Sequence, residues 1–222
     1  MGSLFVSNKD ETVRLFKNPV LEYFSHIHPA TPLVVFLPVV MMTLYVSVAG
    51  GGWAQSIGTW SSISVFAVGV LVWTLVEYAI HRWAFHIDPT TELGKRVHFL
   101  VHGIHHDYPR DSTRLVMPLL VSVPLALAFY GAFAAVWAPF NNALFSGFIF
   151  GYVAYDSIHY ATHHFPMTSR IGRFLKEYHM KHHFVDDHTA YGVSSPLWDI
   201  VFRTVPEWAR KRSSSKPSAP TS

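Results

Sequence analysis

Four histidine clusters carry most of the chemical potential of this chain: "HRWAFH" (His81, His86), "HFLVHGIHH" (His98, His102, His105, His106), "HYATHH" (His159, His163, His164) and "YHMKHH" (His179, His182, His183). Neutral imidazole is the commonest metal ligand among side chains. Residues three and four apart share a helix face, so His102 with His105 and His106, His159 with His163, and His179 with His182 and His183 can each aim at one ion. His81 and His86 would diverge by about 140° on a continuous helix of 3.6 residues per turn, which predicts that their helix ends between them. The candidate ligands are therefore His81, His86, His102, His105, His106, His159, His163, His179, His182 and His183. Ten imidazoles are too many for one ion and suit two, and a pair of redox-active ions can split the oxidising equivalents that activation of dioxygen needs. The chain has no cysteine, which excludes disulfides, thiolate zinc sites, cysteine-bound iron–sulfur clusters and a thiol nucleophile. Imidazole nitrogen suits iron, zinc or copper.

The neighbours of the clusters sort by position. His98 precedes His102 by four and reads as a residue that supports a ligand. Glu77 precedes His81 by four and Asp156 precedes His159 by three, spacings at which each carboxylate can accept the second ring N–H of a ligand. An ionised group close to a membrane is costly unless paired, which favours that role over a merely solvated helix end. His164 points away from the face of His159 and His163, and His26, His28 and His188 read as ordinary polar residues.

The elements that must hold these clusters are membrane helices. Hydrophobic residues make up 50% and charged residues 14% of the chain, and four apolar stretches, at about 33–49, 61–80, 115–138 and 142–158, are long enough or nearly so to cross a bilayer. Pro38, Pro118 and Pro124 should kink or end their helices. Neither short connector, 50–60 or 139–141, contains Lys or Arg, so both termini and both long polar segments are expected on the cytoplasmic face. All histidines fall on that side. The net charge of +3 is accounted for by this topology, and a nucleic-acid partner is not expected. The start of the chain is polar and lacks a secretory h-region.

In order along the chain, "HRWAFH", "HGIHHDYPRDSTRLVMP", "YDSIHYATHH", "EYHMKHHF" and "GVSSPLWDIVFRTVP" resemble the fatty acid hydroxylase superfamily of integral-membrane di-metal oxygenases over roughly residues 70–206. The bare histidine pattern is shared with sterol desaturases, C4-methyl oxidases and carotenoid hydroxylases. Pro109, Asp111, Arg114, Leu115, Val116 and Pro118, with "SSPLWDIVFRT", bring the chain nearer to the fatty acid 2-hydroxylases that modify sphingolipid acyl chains. Leu119 departs from the family, which commonly has a second proline there. The resemblance implies that the same ten histidines hold two non-haem ions, with iron in the active form and zinc a substitute in isolated protein. It also implies O2-dependent hydroxylation of an acyl chain at C2. Arg110 and Arg114 are placed to meet a lipid head group.

The expected architecture is thus an all-α integral membrane domain, residues 1–208, of four transmembrane helices with a cytoplasmic helical cap holding the di-metal centre. A disordered basic and Ser/Pro-rich tail, 209–222, follows. The location follows from this: a multi-pass membrane protein, of the endoplasmic reticulum in a eukaryote or the inner membrane in a bacterium. Many fungal and animal relatives carry a cytochrome b5 domain, for which this chain has no room, so electrons are expected from a separate cytochrome b5 or ferredoxin with its reductase. Arg170, Arg173, Lys176 and Lys181 would steer such an acidic carrier. A metal transporter would place ionisable ligands in the middle of its spans, and the apolar cores have none. A zinc hydrolase would show a His-Glu-x-x-His motif, which is absent.

Overall fold

The structure, a computed structural model, describes residues 6–51 and 54–214, with side chains through 210. The helices in chain order are α1 (Pro19–Phe24), α2 (Thr31–Ala49), α3 (Thr59–Ile80), α4 (Glu92–His98), α5 (Ile104–Asp107), α6 (Leu119–Trp137), α7 (Asn141–His164), α8 (Arg170–Phe184), α9 (Leu197–Val201) and α10 (Glu207–Ser214). A π-helical turn, His81–Phe85, prolongs α3, and a second, Phe99–Gly103, joins α4 to α5. The described residues form no sheet.

Among the described residues, three helices are long and apolar enough to cross a membrane: α2, α3 with its extension to Phe85, and α6. Their large apolar side chains face outwards, Val34, Met41, Trp60 and Leu127 all being well exposed, as suits a lipid surround. The fourth expected span differs. The 24 residues of α7 include the buried polar side chains Asn141, Asn142, Ser146, Asp156, His159, Thr162 and His163. These lower its apolarity below that of a lipid-facing helix, because α2, α3 and α6 pack around it and cover it. Pro38 and Pro124 lie inside α2 and α6 without ending them. Pro118 does set a boundary: it is the N-cap of α6, so residues 115–118 of the expected third span are not helical, in keeping with the restriction proline places on the residue before it. The tail also departs from expectation, since Glu207–Ser214 is helical; the remaining part of it, 215–222, lies outside the described residues.

Two backbones touch where α3 crosses α7. A Cβ on Gly147 would stand 1.9 Å from the Phe66 carbonyl oxygen, and one on Gly69 would stand 2.2 Å from that of Leu144. Gly151, one turn on from Gly147, lies against the Trp73 side chain. This "GFIFG" stretch is the small-xxx-small pattern by which membrane helices approach closely without a hydrophobic driving force. Polar ties add to it: Ser47 and Ser62 hydroxyls are 2.6 Å apart between α2 and α3, and Ser146 donates to the Val40 carbonyl at 2.8 Å. Because α3 and α7 both run directly into histidine clusters, their crossing sets the distance between those clusters.

Replacing Gly147 by Leu should separate α3 from α7. Overpacking of this kind costs about 1–3 kcal/mol or more. The expected result is a lower melting temperature in detergent together with reduced metal content, while Gly131→Leu, at an open position on α6, should change neither.

Candidate metal centre

All ten candidate histidines meet at the ends of α3 and α7 and under α8, in two groups of five. His81, His86, His102, His106 and His182 form one, and His105, His159, His163, His179 and His183 the other; within each group the ring nitrogens lie within 4.8 Å of one another. The second group is wholly buried, whereas His86 and His106 leave the first half-open. The rings of His106 and His183 stack at a centroid distance of 4.2 Å and join the groups.

The grouping departs from the regular-helix reading. The helix does end between His81 and His86, at Phe85, but its last turn is a π turn, whose i to i+5 bonding places residues five apart over one another and so brings the two into one group. Their Nε2 atoms are 3.2 Å apart. His105 does not join His102 and His106, and His182 does not join His179 and His183. Neighbouring residues on a helix diverge by about 100°, so each His-His pair, 105/106 and 182/183, sends one ring to each group. The i, i+4 pairs converge as their spacing predicts, His102 with His106 in the first group and His159 with His163 and His179 with His183 in the second.

The rings point at one another through like atoms. Nε2 of His86 lies 3.2 Å from that of His102 and 3.0 Å from that of His182, and His179 Nε2 lies 2.9 Å from His163 and 3.1 Å from His183. His81 donates from Nδ1 to the Tyr191 carbonyl at 2.5 Å, and His182 from Nδ1 to that of Thr189 at 2.7 Å. Both Nε2 atoms are then bare lone pairs, and the single proton that His86 can offer satisfies one of its three facing partners. Two nitrogens bound at right angles to one ion, each about 2.1 Å from it, lie about 3.0 Å apart. The observed spacings fit shared cations and do not fit a hydrogen-bond network. Burial first, and neighbouring imidazoles second, hold His102, His105, His179 and His183 well below the ordinary histidine range and bring His86 down to about 3 and His106 to about 2. The rings are neutral at pH 7, the form that binds metal.

The supporting residues are arranged differently from expectation. His98 donates to the Phe85 carbonyl and so holds the end of the π turn that precedes His86. Glu77 makes no bond to His81. Its carboxylate accepts from the Val193 and Ser194 N–H groups, both at 2.8 Å, and from the Ser194 hydroxyl. Asp156 makes none to His159, whose Nδ1 is unpartnered; it faces the Met117 N–H and the Tyr152 hydroxyl. In both cases the helical spacing is right, but the side chain is drawn to backbone N–H groups of a packed loop. Asp199, which sequence reasoning missed, accepts from the N–H groups of Tyr191 at 3.0 Å and Gly192 at 2.8 Å. Glu77 and Asp199 thus pin the 189–194 loop, and the carbonyls of that loop orient His81 and His182. A lone acid inside the apolar "LWDIVF" was the available signal.

Arg110 is exposed, as a head-group contact requires. Arg114 is not available for one: its side chain is 5% exposed and pairs with Glu22 at 2.7 Å and Asp111 at 3.5 Å. It also donates to Thr12, Ser25 and the Val13 carbonyl, and it meets Nε2 of His26 at 2.9 Å. The N-terminal segment is thereby clamped over the 107–114 loop, and His26 is part of the clamp. Of the basic set on α8, Lys176 donates to the Thr162 and Phe165 carbonyls at the end of α7. Lys181 pairs with Glu177 and lies 3.7 Å over the Trp208 ring. Arg170 and Arg173 stay exposed. His164 stacks on Tyr160 away from both groups, and His28 and His188 lie at the surface.

Beside the histidines, between α3, α6 and α7, lies an apolar pocket lined by Ile80, Met117, Leu125, Ile149 and their neighbours. Its polar lining is Trp73, Ser122 and Tyr152, whose Nε1, Oγ and hydroxyl are buried without a hydrogen bond of normal length, although the Tyr152 hydroxyl faces Ser122 and Asp156. The fold and the site together define a helical protein with three candidate membrane spans and, at one end of them, two five-histidine groups that could each hold a metal ion.

The chain belongs to the fatty acid hydroxylase family, whose pattern matches residues 66–204. It is 37% identical over 198 residues to the dihydroceramide fatty acyl 2-hydroxylase FAH1 of Arabidopsis thaliana, covering 88% of this chain and 81% of that one. It is 44% identical over 144 residues to the ceramide very long chain fatty acid hydroxylase SCS7 of Saccharomyces cerevisiae, covering 63% and 37% of the two chains. With the fatty acid 2-hydroxylase of Rattus norvegicus it shares 40% over 153 residues, 66% and 41% of the two. A solved structure of full-length scs7p in which only the hydroxylase domain is visible superposes with a TM-score of 0.78 at 36% identity, over 94% of this chain and 74% of that one.

Two outcomes are expected from this geometry. Asp199→Ala should free the 189–194 loop and weaken metal binding in the first histidine group about 10–100-fold, the usual effect of losing an outer hydrogen bond. Elemental analysis after dialysis should then give about one ion per chain instead of two. The second concerns acid. Burial pushes the Glu22 carboxyl up, but the Phe16 N–H, His26, the Leu15 N–H and Arg114 outweigh it and bring it down to about 2 from 4.5. A depressed carboxylate gives stability that is present above 4.5 and lost as the pH falls towards 2. Melting temperature should therefore fall across that window in the wild type and less steeply in Glu22→Gln.

Proposed function

We propose that this protein hydroxylates the C2 carbon of a long acyl chain, as a free fatty acid or as the acyl group of a sphingolipid, using dioxygen and two metal ions held by the ten histidines. The observation that carries the reading is the junction of two five-nitrogen groups with an apolar pocket whose inner end, at Ile80 and Met117, adjoins His81 and the ligand-bearing end of α7. The relatives' names, dihydroceramide fatty acyl 2-hydroxylase and fatty acid 2-hydroxylase, support the same chemistry. Iron is the element we assign to the active form, with zinc a substitute in purified protein; such a pair supplies the redox equivalents with which dioxygen is activated against a C–H bond.

The chain's own residues position and shield. Its apolar pocket takes the tail, and the end of that pocket at Ile80 and Met117 leaves the C2 carbon nearest the histidines. The wholly buried second group keeps water from one ion, and access from the cytoplasm is confined to the side of His86 and His106. We place α7 as a fourth span, sheathed by the other three, with the cap in the cytoplasm. Insertion of one oxygen atom consumes two external electrons, and they come from a separate carrier, a cytochrome b5 or ferredoxin with its reductase. With Lys176 and Lys181 engaged, Arg170 and Arg173 are the cations left to steer it.

Reconstitution in liposomes with iron, a reduced carrier and acyl lipids should give a product one oxygen heavier at C2 by mass spectrometry, over many turnovers. His163→Ala and His182→Ala should abolish it and lower metal content. Oxygen at another carbon, or sustained turnover without any reductant, would refute the assignment. A cysteine placed at Ser56 should react only with reagent on the side opposite the cap.

A further inference from the structure

Below the first pocket lies a second space of about 320 Å³, lined by Val65, Val68, Val72, Trp137, Phe140 and Leu144. It is apolar throughout, and at about 30 Å³ for each water displaced it has room for several methylene groups. The two spaces use the same three walls at different depths. On α3 the lining passes from Ile80 and Trp73 above to Val72, Val68 and Val65 below. On α7 it passes from Tyr152, Ile149 and Phe148 to Leu144, and on the α6 side from Ser122, Leu125, Ala126 and Phe129 to Trp137 and Phe140. The two linings meet at Trp73 and Val72 on α3 and lie one turn apart, at Phe148 and Leu144, on α7. An aromatic layer lies at that boundary: the Phe148 ring lies 5.2 Å from Trp73, 4.5 Å from Phe129 and 5.4 Å from Phe133, centroid to centroid. Phe148 is 2% exposed.

We propose that Phe148, held between Trp73 and the α6 phenylalanines, is the floor of the acyl site and determines which chain lengths the enzyme accepts. The lower space, whose Val68, Trp137 and Phe140 are about half exposed on the outer surface of the helices, would take the end of a longer acyl chain once that ring is removed. The inference rests on the acyl hydroxylation proposed above. Continuity of the walls is what assigns the lower space to the substrate's tail. From Ile80 to Val65 is about 22 Å at 1.5 Å per helical residue, deeper than the roughly 15 Å of one leaflet's hydrocarbon, whereas Trp73 lies only about 10 Å below Ile80. Phe148 therefore stands where the depth of the site can change by a factor of about two.

The test is competition among acyl lipids of graded length, using the metal-loaded protein in liposomes with its reducing system. Phe148→Ala should raise the long-to-short ratio of kcat/KM by at least about tenfold, since even one methylene in an apolar pocket is worth that much. Phe148→Leu, which keeps an apolar side chain in the helix crossing, should shift the ratio in the same direction by less, with wild-type metal content showing that the fold is intact. Val68→Phe should leave the wild-type profile unchanged and cancel the shift when combined with Phe148→Ala. Wild-type ratios in both Phe148 variants at full metal content would overturn the proposal and leave the lower space to bilayer lipid. A shift from Val68→Phe alone would also overturn it, because the lower space would already be in use. If the wild type gives no 2-hydroxy product at all, the reaction itself is wrong and the proposal falls with it.

Discussion

Ten imidazole nitrogens aimed at one another are the constraint to which the rest of the structure answers. Lone pairs about 3 Å apart in a dry environment repel unless a cation or a proton stands between them, and the one proton that each neutral ring carries does not serve every nitrogen that faces it. The folded arrangement therefore suits bound metal ions, and the contacts around it resist the outward relaxation that would otherwise relieve the repulsion. His98 closes the π turn beneath His86, and Glu77 and Asp199 fix the loop whose carbonyls turn His81 and His182. Each of these contacts is made with backbone, which has few ways to move.

That stiffness explains where the carboxylates went. A carboxylate bonded directly to a ligand ring would add negative charge next to the ions, whereas Glu77 and Asp199 stand one step further out and act through peptide groups. The carbonyl acceptors still fix the tautomers of His81 and His182, so each ring presents Nε2 to the centre. The second group is held more by packing, since Nδ1 of His159, His179 and His183 has no partner. Loss of the loop should accordingly affect the first group and spare the second.

The sequence revealed the membership of this constellation but not its partition. Ligand residue type and clustering are local properties, and they select the ten histidines that converge. Which group a ring joins depends on helix phase: pairs four apart stay together, neighbours 105/106 and 182/183 diverge, and a π turn brings His86 to His81. The apolar runs of α2, α3 and α6 were legible because lipid imposes composition directly. α7 was legible as a helix but not as a sheathed one, since Asn141, Ser146 and Asp156 are tolerated only where protein covers them. Arg114 was misread for a related reason: an arginine near a membrane has the same appearance whether it meets lipid or, as here, Glu22 and Asp111 from distant parts of the chain. Asp199 and the "GFIFG" crossing were visible in the sequence, and only their partners, supplied by the fold, give them meaning.

The membrane part and the cap cannot then be treated as an anchor and a catalytic unit. α3 and α7 run from their crossing into the site as continuous helices, so His81 is rigidly coupled to Gly69 and His159 to Gly147 and Gly151. A small change in how the two helices cross in lipid is carried along them to the ring nitrogens. A pocket built between the same helices shares this coupling: the aromatic layer at Phe148 packs against Trp73, and Trp73 lies against Gly151. The shape of that pocket and the spacing of the histidines are thereby set by one contact surface, made of glycines and large rings, residues that admit few alternative packings.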